Sequence, residues 1–500
     1  MSRMGSLMDW LDGPRANRVD EWESRDVFVA EKPAVTTTTG KKRRETAWLD
    51  GLRGIAAFLV VLHHVQPGVI YLGNCYNTKI KIGKEVLWLH TPAALPVIRL
   101  FFTGGSIAVE VFFFISGYVV PRRLVVLLHQ GRQAEFIDAL NSAVIRRPAR
   151  LFIPAMATTF LTVVFFYITG IEPPWPPSLS PSNIFQACLY WMLDCFQLTN
   201  YFDAFTSDYS RILWTVVVEF KGSMALFMWL FAIHQFRAQS RVWLTLGLTL
   251  YLVFFTIRTE FAAFFAGLVT SEIDLLNASE QRVWIPVWTE LCEFLSTRKL
   301  LRSITLHLAF VVALFFASTP ILKSDMSSSK AIETCDTWPK FTWYLVPWQY
   351  WKSWPMGFQR DFWYFWSSWL FILTCKEIEW LKGLLEGRLP QYLGKNSFSL
   401  YLTHSIITTT LTKSILLLTG FAWLRGAKPQ WPFAQIPVGA WNHGITSKDV
   451  GPDGFRPAEL FNVFASLIPI FFLAEFGTRI FDEPSVWIAE WIWEKSKGLR

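Results

Sequence analysis

The stretch Leu52-Arg53-Gly54-Ile55-Ala56-Ala57-Phe58-Leu59-Val60-Val61-Leu62-His63-His64 places two ionisable side chains, Arg53 and His64, inside an apolar segment. An ionisable group at membrane depth is costly, so it marks a functional site by default. A separation of eleven residues is about three helical turns, so both side chains project from one face, roughly 16 Å apart along the axis. The stretch predicts a membrane-spanning helix with a cation near one membrane face and an imidazole near the other.

The composition is that of a membrane protein. Of the 500 residues 52% are apolar and 17% charged, and 26 are Trp and 44 Phe, more aromatics than a soluble domain of this length needs. Aromatic side chains concentrate at membrane interfaces and on lipid-facing surfaces. We therefore predict an all-α polytopic fold. The net charge of +8 is explained by basic residues that border the spans and contact anionic lipid, and it indicates no nucleic-acid partner.

The apolar stretches divide the chain into three parts. Residues 1–46 are polar, end in Lys41-Lys42-Arg43-Arg44 and predict a disordered cytosolic tail. Residues 47–490 form the predicted membrane domain, and 491–500 a short cytosolic tail. Segment 260–270 is the weakest candidate span and could instead be a broken or re-entrant helix. The candidate spans are 48–66, 104–120, 151–170, 213–233, 242–257, 260–270, 304–319, 361–376, 397–418 and 460–478.

The distribution of basic residues predicts the orientation. With the N-terminus in the cytosol, the cytosolic segments hold 29 of the 47 Lys and Arg residues, the opposite segments 15 and the spans three. Cytosolic loops carry such an excess. We therefore expect about ten helices with both termini inside, in an endomembrane or the plasma membrane.

The six cysteines are scattered and show no C-x-x-C or His pairing at the spacing of a metal site. No metal is therefore expected. Cys75 and Cys335 both fall in loops predicted to lie outside the cytosol. They could form a disulfide if that compartment is oxidising.

The two histidines at the end of the first span are candidate general bases. A neutral imidazole at His64 can take a proton from an acceptor hydroxyl, although it could instead hydrogen-bond a neighbouring helix. His63 points about 100° away and could support His64 or replace it as the base. The sequence leaves these alternatives open.

Four arginines are candidate ligands for a phosphorylated donor. Arg53 can clamp a phosphate by a bidentate contact, or act as an interfacial anchor. Arg146, Arg147 and Arg150 precede the third predicted span on the same side of the membrane. They could bind the phosphates of a coenzyme or serve as a stop signal for membrane insertion.

Two carboxylates lie inside predicted spans and need partners. For Glu110 the candidate partners are Arg53 and His64 on the adjacent span. For Glu219, Lys221 lies on another helix face, so a partner elsewhere in the bundle is expected. Each could be catalytic or part of a structural buried pair. Ser116 and His404, together with His63, are assigned to the acceptor site or to its support.

At these residues the chain resembles the membrane-bound acyltransferase 3 family. Each motif is weak alone, and the ordered set covers about residues 48–490. The matching segments are Leu49-Asp50-Gly51-Leu52-Arg53-Gly54 with His64, Val109 to Tyr118, Leu213 to Glu219, Leu393 to His404 and Phe481-Asp482-Glu483-Pro484.

The resemblance implies a fold of ten spans and transfer of an acyl group, often acetyl, from a cytosolic acyl-CoA to a hydroxyl of a saccharide, lipid or small natural product. By resemblance, His64 activates the acceptor and Arg53 helps to hold acetyl-CoA or another acyl-CoA. Two departures, Glu110 in place of Asp and Phe220-Lys221-Gly222 after Glu219, indicate a divergent, fungal-like branch.

The rival interpretation is a transporter or channel in which Arg53, Glu110, Glu219 and His404 form a substrate or proton path. The set of motifs favours the enzyme. The sequence leaves open the acceptor, the acyl length, the membrane and the oligomeric state.

Overall fold

The computed structural model describes residues 44–66, 72–82, 85–170, 183–202, 207–279, 281, 283–322, 335, 337–352, 358–418 and 454–498. Most of residues 1–46, the whole of 420–453 and the last two residues lie outside this part of the chain. The expectation of a disordered N-terminal tail therefore falls almost wholly outside the described residues.

The described part is helical apart from one hairpin. The helices of seven or more residues are α1 (Ala47–Val65), α2 (Gly105–Val119), α3 (Arg122–His129), α4 (Gln133–Thr169), α5 (Ile184–Leu198), α6 (Trp214–Ile233), α7 (Ala238–Phe254), α8 (Thr259–Ala278), α9 (Trp288–Ser296), α10 (Lys299–Ala317), α11 (Phe358–Glu377), α12 (Glu379–Leu385), α13 (Arg388–Lys395), α14 (Ser397–Ile407), α15 (Pro457–Gly477) and α16 (Glu483–Gly498).

Shorter elements connect these helices. Helical turns comprise Pro92–Ala94, Leu100–Thr103, Arg211–Leu213, Lys340–Tyr344, Gln349–Lys352 and Lys413–Leu418, and π-helical turns comprise Thr408–Thr412 and Thr478–Asp482. Strands β1 (Lys79–Ile82) and β2 (Glu85–Trp88) pair antiparallel, with Lys79 opposite Trp88. The all-α prediction therefore holds for the membrane part, and the hairpin lies in a loop.

Seven helical stretches in the described part are long and apolar enough to cross a membrane, which makes this a multi-pass membrane protein. They are Ala47–Val65, Gly105–His129, Gln133–Thr169, Arg211–Ile233, Thr259–Ala278, Lys299–Ala317 and Pro457–Gly498. The other predicted spans, 242–257, 361–376 and 397–418, coincide with α7, α11 and the helix that begins at Ser397. These three are shorter or more polar, so seven of the ten predicted spans are confirmed as candidate membrane helices, and the count of about ten stays a prediction.

The interpretation of 260–270 as a broken or re-entrant helix is wrong. Helix α8 is continuous over twenty residues and mostly buried. Its acidic residues weakened the sequence pattern, but other helices neutralise them: Glu272 pairs with Arg241 at 2.6 Å, and Asp274 pairs with Lys376. A helix in the centre of a bundle faces protein rather than lipid and can carry paired charges.

Two predicted spans are parts of longer helices. Helix α4 begins at Gln133, so the arginines 146–150 lie within it instead of preceding it. The last predicted span, 460–478, continues through a π-helical turn into α16, which reaches Gly498. Residues 491–498, expected to belong to a short tail, are therefore helical.

Glycines allow the central helices to approach closely. A Cβ atom on Gly117 of α2 would lie 2.0 Å from the carbonyl oxygen of Phe264 in α8, and one on Gly54 of α1 would lie 2.4 Å from the Gly394 nitrogen. Only glycine permits such contacts, as in other membrane bundles. They set α1 directly against α13 and α2 directly against α8.

The loops at one end of the bundle are tied together by a disulfide and a buried arginine. Cys75 and Cys335, whose pairing the sequence left open, are bonded. The Arg99 guanidinium, 2% exposed, donates to the carbonyl oxygens of Leu72 at 2.7 Å and Ser318 at 3.4 Å. Burial lowers the pKa of Arg99 to about 10, so it remains charged at neutral pH. These links order the loops next to the C-terminal end of α1.

Candidate active site

His64 occupies the last turn of α1 and is solvent-accessible. Its Nδ1 lies 2.8 Å from the carbonyl oxygen of Val60. A carbonyl oxygen only accepts, so in the neutral ring Nδ1 carries the proton and Nε2 presents a lone pair. This is the tautomer that a general base requires.

A second imidazole lies against His64. The ring of His404 in α14 is fully buried, and the two ring centres are 4.9 Å apart. His404 Nδ1 also points to a carbonyl oxygen of its own helix, Leu400 at 3.2 Å, and its Nε2 has no hydrogen-bond partner among the described residues. The assignment of His404 to the support of the site therefore agrees with where it lies.

His63 faces a different neighbour. A Cβ atom on Gly105, at the start of α2, would lie 2.8 Å from the His63 Cβ. The His63 side chain therefore packs tightly against that helix. Its Nδ1 is buried and has no hydrogen-bond partner in the part of the chain that the structure describes. Of the two histidines, His64 is thus the one with a solvent-accessible ring and an oriented lone pair.

Arg53 lies six residues after the start of α1, at the opposite end from His64. Its Nη2 donates to the carbonyl oxygen of Gly394 at 3.3 Å and lies 3.7 Å from Asp50 Oδ1. The side chain remains 41% exposed. These weak contacts orient the guanidinium while leaving donors available, which suits an anion-binding role.

Glu219 has the partner that was expected elsewhere in the bundle. Arg147 of α4 binds its Oε1, and Ser116 of α2 donates to the same oxygen at 2.5 Å. Arg147 Nε also donates to Ser223 at 3.0 Å. Three helices, α2, α4 and α6, are therefore joined by one buried polar network, and Arg53 lies within electrostatic reach of it.

The three arginines of α4 are not equivalent. Arg147 is occupied by Glu219 and Ser223, whereas Arg150 is exposed and interacts electrostatically with Arg147. Arg146 is half-buried. Arg147 interacts electrostatically with both Arg53 and Arg150, but it is largely committed to protein contacts.

Glu110 is not where the sequence reasoning placed it. We expected Arg53 or His64 as its partner; instead it is buried near the carboxylates of Glu260 and Asp361. Its Oε1 has no hydrogen-bond partner among the described residues. The reason is geometric: Glu110 lies five residues into α2, near the beginnings of α8 and α11.

Sequence reasoning also missed several charged residues at the ends of helices. Arg360 pairs with Asp361 at 3.5 Å and Arg258 with Glu260 at 3.3 Å. Glu260 and Asp361 are each the first residue of a predicted span, which is a position typical of interfacial residues. Their position at the first residue of a span was the one available signal.

Taken together, one helix carries an exposed guanidinium at one end and an oriented imidazole at the other, inside a multi-helix membrane domain. Among the described residues, no group of three or more His, Cys, Asp or Glu side chains is arranged to hold a metal ion. The arrangement is suited to acid–base chemistry at His64 and anion binding at Arg53.

Comparison with known proteins identifies the class. Residues 46–440 match the acyltransferase domain model of the acyltransferase 3 family. The chain therefore belongs to this family and is an acyltransferase, which sets aside the transporter interpretation. No solved structure matches it.

Three fungal acyltransferases are similar to this chain. O-acetyltransferase PaAT-1 from Phomopsis amygdali is 29% identical over 404 residues, 74% of each chain. Acyltransferase clz18 from Cochliobolus lunatus is 23% identical over 80% of this chain and 89% of its own length. Acyltransferase R4 from a Phoma species is 21% identical over 79% and 88%, respectively.

Proposed function

We propose that this protein is an integral-membrane O-acyltransferase that moves an acyl group, most simply acetyl, from cytosolic acyl-CoA to a hydroxyl group of an acceptor. The observation that carries the proposal is the orientation of His64: its Nδ1 is held by Val60, so Nε2 is the atom that takes a proton. The similarity to an enzyme named as an O-acetyltransferase supports the choice of acetyl.

The transfer step needs one base and no covalent enzyme intermediate. The acceptor oxygen attacks the thioester carbon while its proton moves to His64 Nε2; the C–O bond forms, the C–S bond breaks, and the thiolate of CoA regains a proton from the imidazolium or from water. The buried ring of His404 fixes the orientation of His64. We assign His404 a positioning role.

The donor enters from the end of α1 that carries Arg53. Arg53 and the exposed Arg150 hold phosphate groups of acyl-CoA, and Arg146 lies on the same helix as Arg150. Arg147, fixed by Glu219 and Ser223, positions α4 and adds positive potential.

The orientation in the membrane is part of the proposal. Disulfides persist in oxidising compartments, so the Cys75–Cys335 bond supports placing the loop after α1 outside the cytosol. We propose accordingly that His64 lies towards the lumen or exterior and Arg53 towards the cytosol, and that both chain termini are inside. The membrane is an endomembrane or the plasma membrane.

The test is acetyl-CoA turnover by protein reconstituted in lipid nanodiscs. We expect His64→Gln to lower kcat at least about 100-fold, in the range of general-base catalysis. His307→Gln is the matched control, because His307 makes the same Nδ1 contact at 2.8 Å to a carbonyl four residues back but lies exposed on α10. Full activity of a folded His64→Gln variant would contradict the role of His64.

A second variant tests the donor site. Arg150→Ala should raise KM for acetyl-CoA by about tenfold, the value of one lost charge-assisted contact, with little change in kcat. An unchanged KM would remove Arg150 from the donor site.

A further inference from the structure

Two ion pairs lie side by side at the helix ends nearest the histidines. Arg360 Nε and Asp361 Oδ1 are 3.5 Å apart at the start of α11, and Arg258 Nε and Glu260 Oε1 are 3.3 Å apart at the start of α8. The side chains of Arg360, Asp361 and Glu260 are 25%, 31% and 21% exposed. Side chains of this exposure, set within a helical bundle, line a space that solvent reaches.

This space adjoins the proposed base. His63, next to His64, is wedged against the start of α2 at Gly105, and Arg360 interacts electrostatically with His63. Asp361 and Glu260 interact with each other and with Glu110 of the same helix α2. The two pairs and the imidazoles therefore share one end of the bundle, the end that carries the disulfide.

Two buried polar atoms border this space without partners among the described residues. Glu110 is 7% exposed and its Oε1 makes no hydrogen bond to the described residues, and Arg360 Nε, 3.5 Å from Asp361 Oδ1, makes none either. Buried polar atoms are satisfied in nearly all native sites. A bound molecule with hydroxyl groups would supply hydrogen bonds to both atoms.

We infer that the Arg360–Asp361 and Arg258–Glu260 pairs form the polar wall of the acceptor site and select a neutral acceptor with several hydroxyl groups. The inference rests on the proposed function. A hydroxyl donates to a carboxylate and accepts from a guanidinium, so it matches a wall that offers both. Each arginine of the wall is paired with a carboxylate, so an anionic acceptor finds no uncompensated cation there and loses its hydration.

Within the wall, Arg360 stacks on a neighbouring aromatic ring. The guanidinium carbon of Arg360 lies 5.7 Å from the centre of the Tyr364 ring, which is itself buried. This contact holds Arg360 in place and limits its rotamers. It makes the wall a rigid surface rather than a mobile pair of side chains.

The test compares two probes that differ by one charge. Binding of phenyl β-D-glucoside and of phenyl β-D-glucuronide to the full-length protein in nanodiscs is measured by titration calorimetry. The wild type should bind the glucoside about tenfold more tightly. Asp361→Asn leaves Arg360 unbalanced and should shift the ratio at least about tenfold towards the glucuronide, whereas Arg360→Gln should shift it the other way.

The matched control removes a carboxylate at the opposite end of the bundle. Glu475→Gln breaks an ion pair with Arg479 at 2.6 Å and should leave the ratio unchanged. The ratio is measured within one preparation, so a partly unfolded variant does not affect it. Shifts in the same direction for both variants, shifts below twofold, or no binding of the glucoside would overturn the inference.

Acetyl-CoA hydrolysis separates this inference from the proposed function. If the wild type hydrolyses acetyl-CoA in a His64-dependent reaction but binds neither glycoside, the acceptor wall is wrong and the acyltransferase proposal stands. If the ratios shift as expected but no His64-dependent hydrolysis occurs, the wall stands and the proposed chemistry is wrong.

Discussion

The buried pair of Arg147 and Glu219 gives the sharpest energetic prediction. The two side chains are only 15% and 16% exposed, and Glu219 also accepts from Ser116. Removing the carboxylate leaves the guanidinium with Ser223 alone. Breaking a buried pair on one side costs about 3–5 kcal/mol, because one charge remains buried without compensation. We therefore expect Glu219→Leu to be severely destabilised.

A double variant separates the contribution of the whole ion pair to stability from the cost of leaving one charge unpaired. With Arg147→Met and Glu219→Leu together, no buried charge remains, and apolar replacement of a whole pair is often neutral or stabilising. Stability should return to within about 2 kcal/mol of the wild type, because the coupling term is large for residues in contact.

Thermal unfolding in detergent, followed by fluorescence-detected size exclusion, provides the measurement. At about 2 °C per kcal/mol for a large domain, Glu219→Leu should lower Tm by roughly 6–10 °C and the double variant by less than about 4 °C. Glu377→Gln is the control, since its pair with Arg302 is 34% and 51% exposed and such pairs contribute about 0–1 kcal/mol. A double variant as unstable as Glu219→Leu would refute the reasoning.

The same double variant tests what Glu219 does in the reaction. If Glu219 only positions Arg147 and α4, the stable double variant should show a raised KM for acetyl-CoA and a kcat within about tenfold of the wild type. A stable protein with no detectable kcat would instead place Glu219 among the groups that touch the reacting atoms.

Three further predictions concern the fold. Replacing both Cys75 and Cys335 with serine should lower Tm, since the bond closes a span of 260 residues and chain entropy sets an upper limit of about 5 kcal/mol; an unchanged Tm would contradict this. Arg99→Met should be destabilised by several kcal/mol in the same assay and Arg99→Lys by less, because buried carbonyls lose a forked donor. Gly117→Ala should abolish expression of folded protein, since its Cβ would lie 2.0 Å from the Phe264 oxygen, while Gly247→Ala, with nothing within 4 Å, should be neutral or slightly stabilising.

The fold was predictable where contact with the bilayer restricts the composition of a continuous stretch of sequence. A helix that contacts lipid must be apolar over about twenty residues, so the spans beginning at Ala47 and Gly105 could be located from composition alone. Prediction was weakest for Thr259–Ala278, where the sequence indicated only the shorter span 260–270, because this helix contacts protein on most sides. Its charges are balanced by Arg241 and Lys376 from distant parts of the chain, and no local pattern reveals such partners.

The candidate site also contains some residues that the sequence located and others that only the packing of the helices reveals. Arg53 and His64 are on one helix, so their spacing already fixed their common face and separation. The Arg147–Glu219 pair required only the argument that a carboxylate in a span needs a partner; its identity came from the packing of α4 against α6. The contact of His404 with His64 depends on how α14 packs against α1, which neither the spacing nor the resemblance specified.

The wall of ion pairs escaped prediction for a reason that applies to membrane enzymes in general. A charged residue at the first position of a span is usually an interfacial anchor, and Glu260 and Asp361 fit that description in sequence. An anchor, however, extends into the headgroup region and is free to change partners, whereas these carboxylates are turned inward, are two-thirds or more buried and are paired with arginines adjacent in sequence or nearly so. Inward orientation follows only from the packing of α8 and α11 against α2, so a charge at a span boundary becomes informative once its helix is known to be central rather than peripheral.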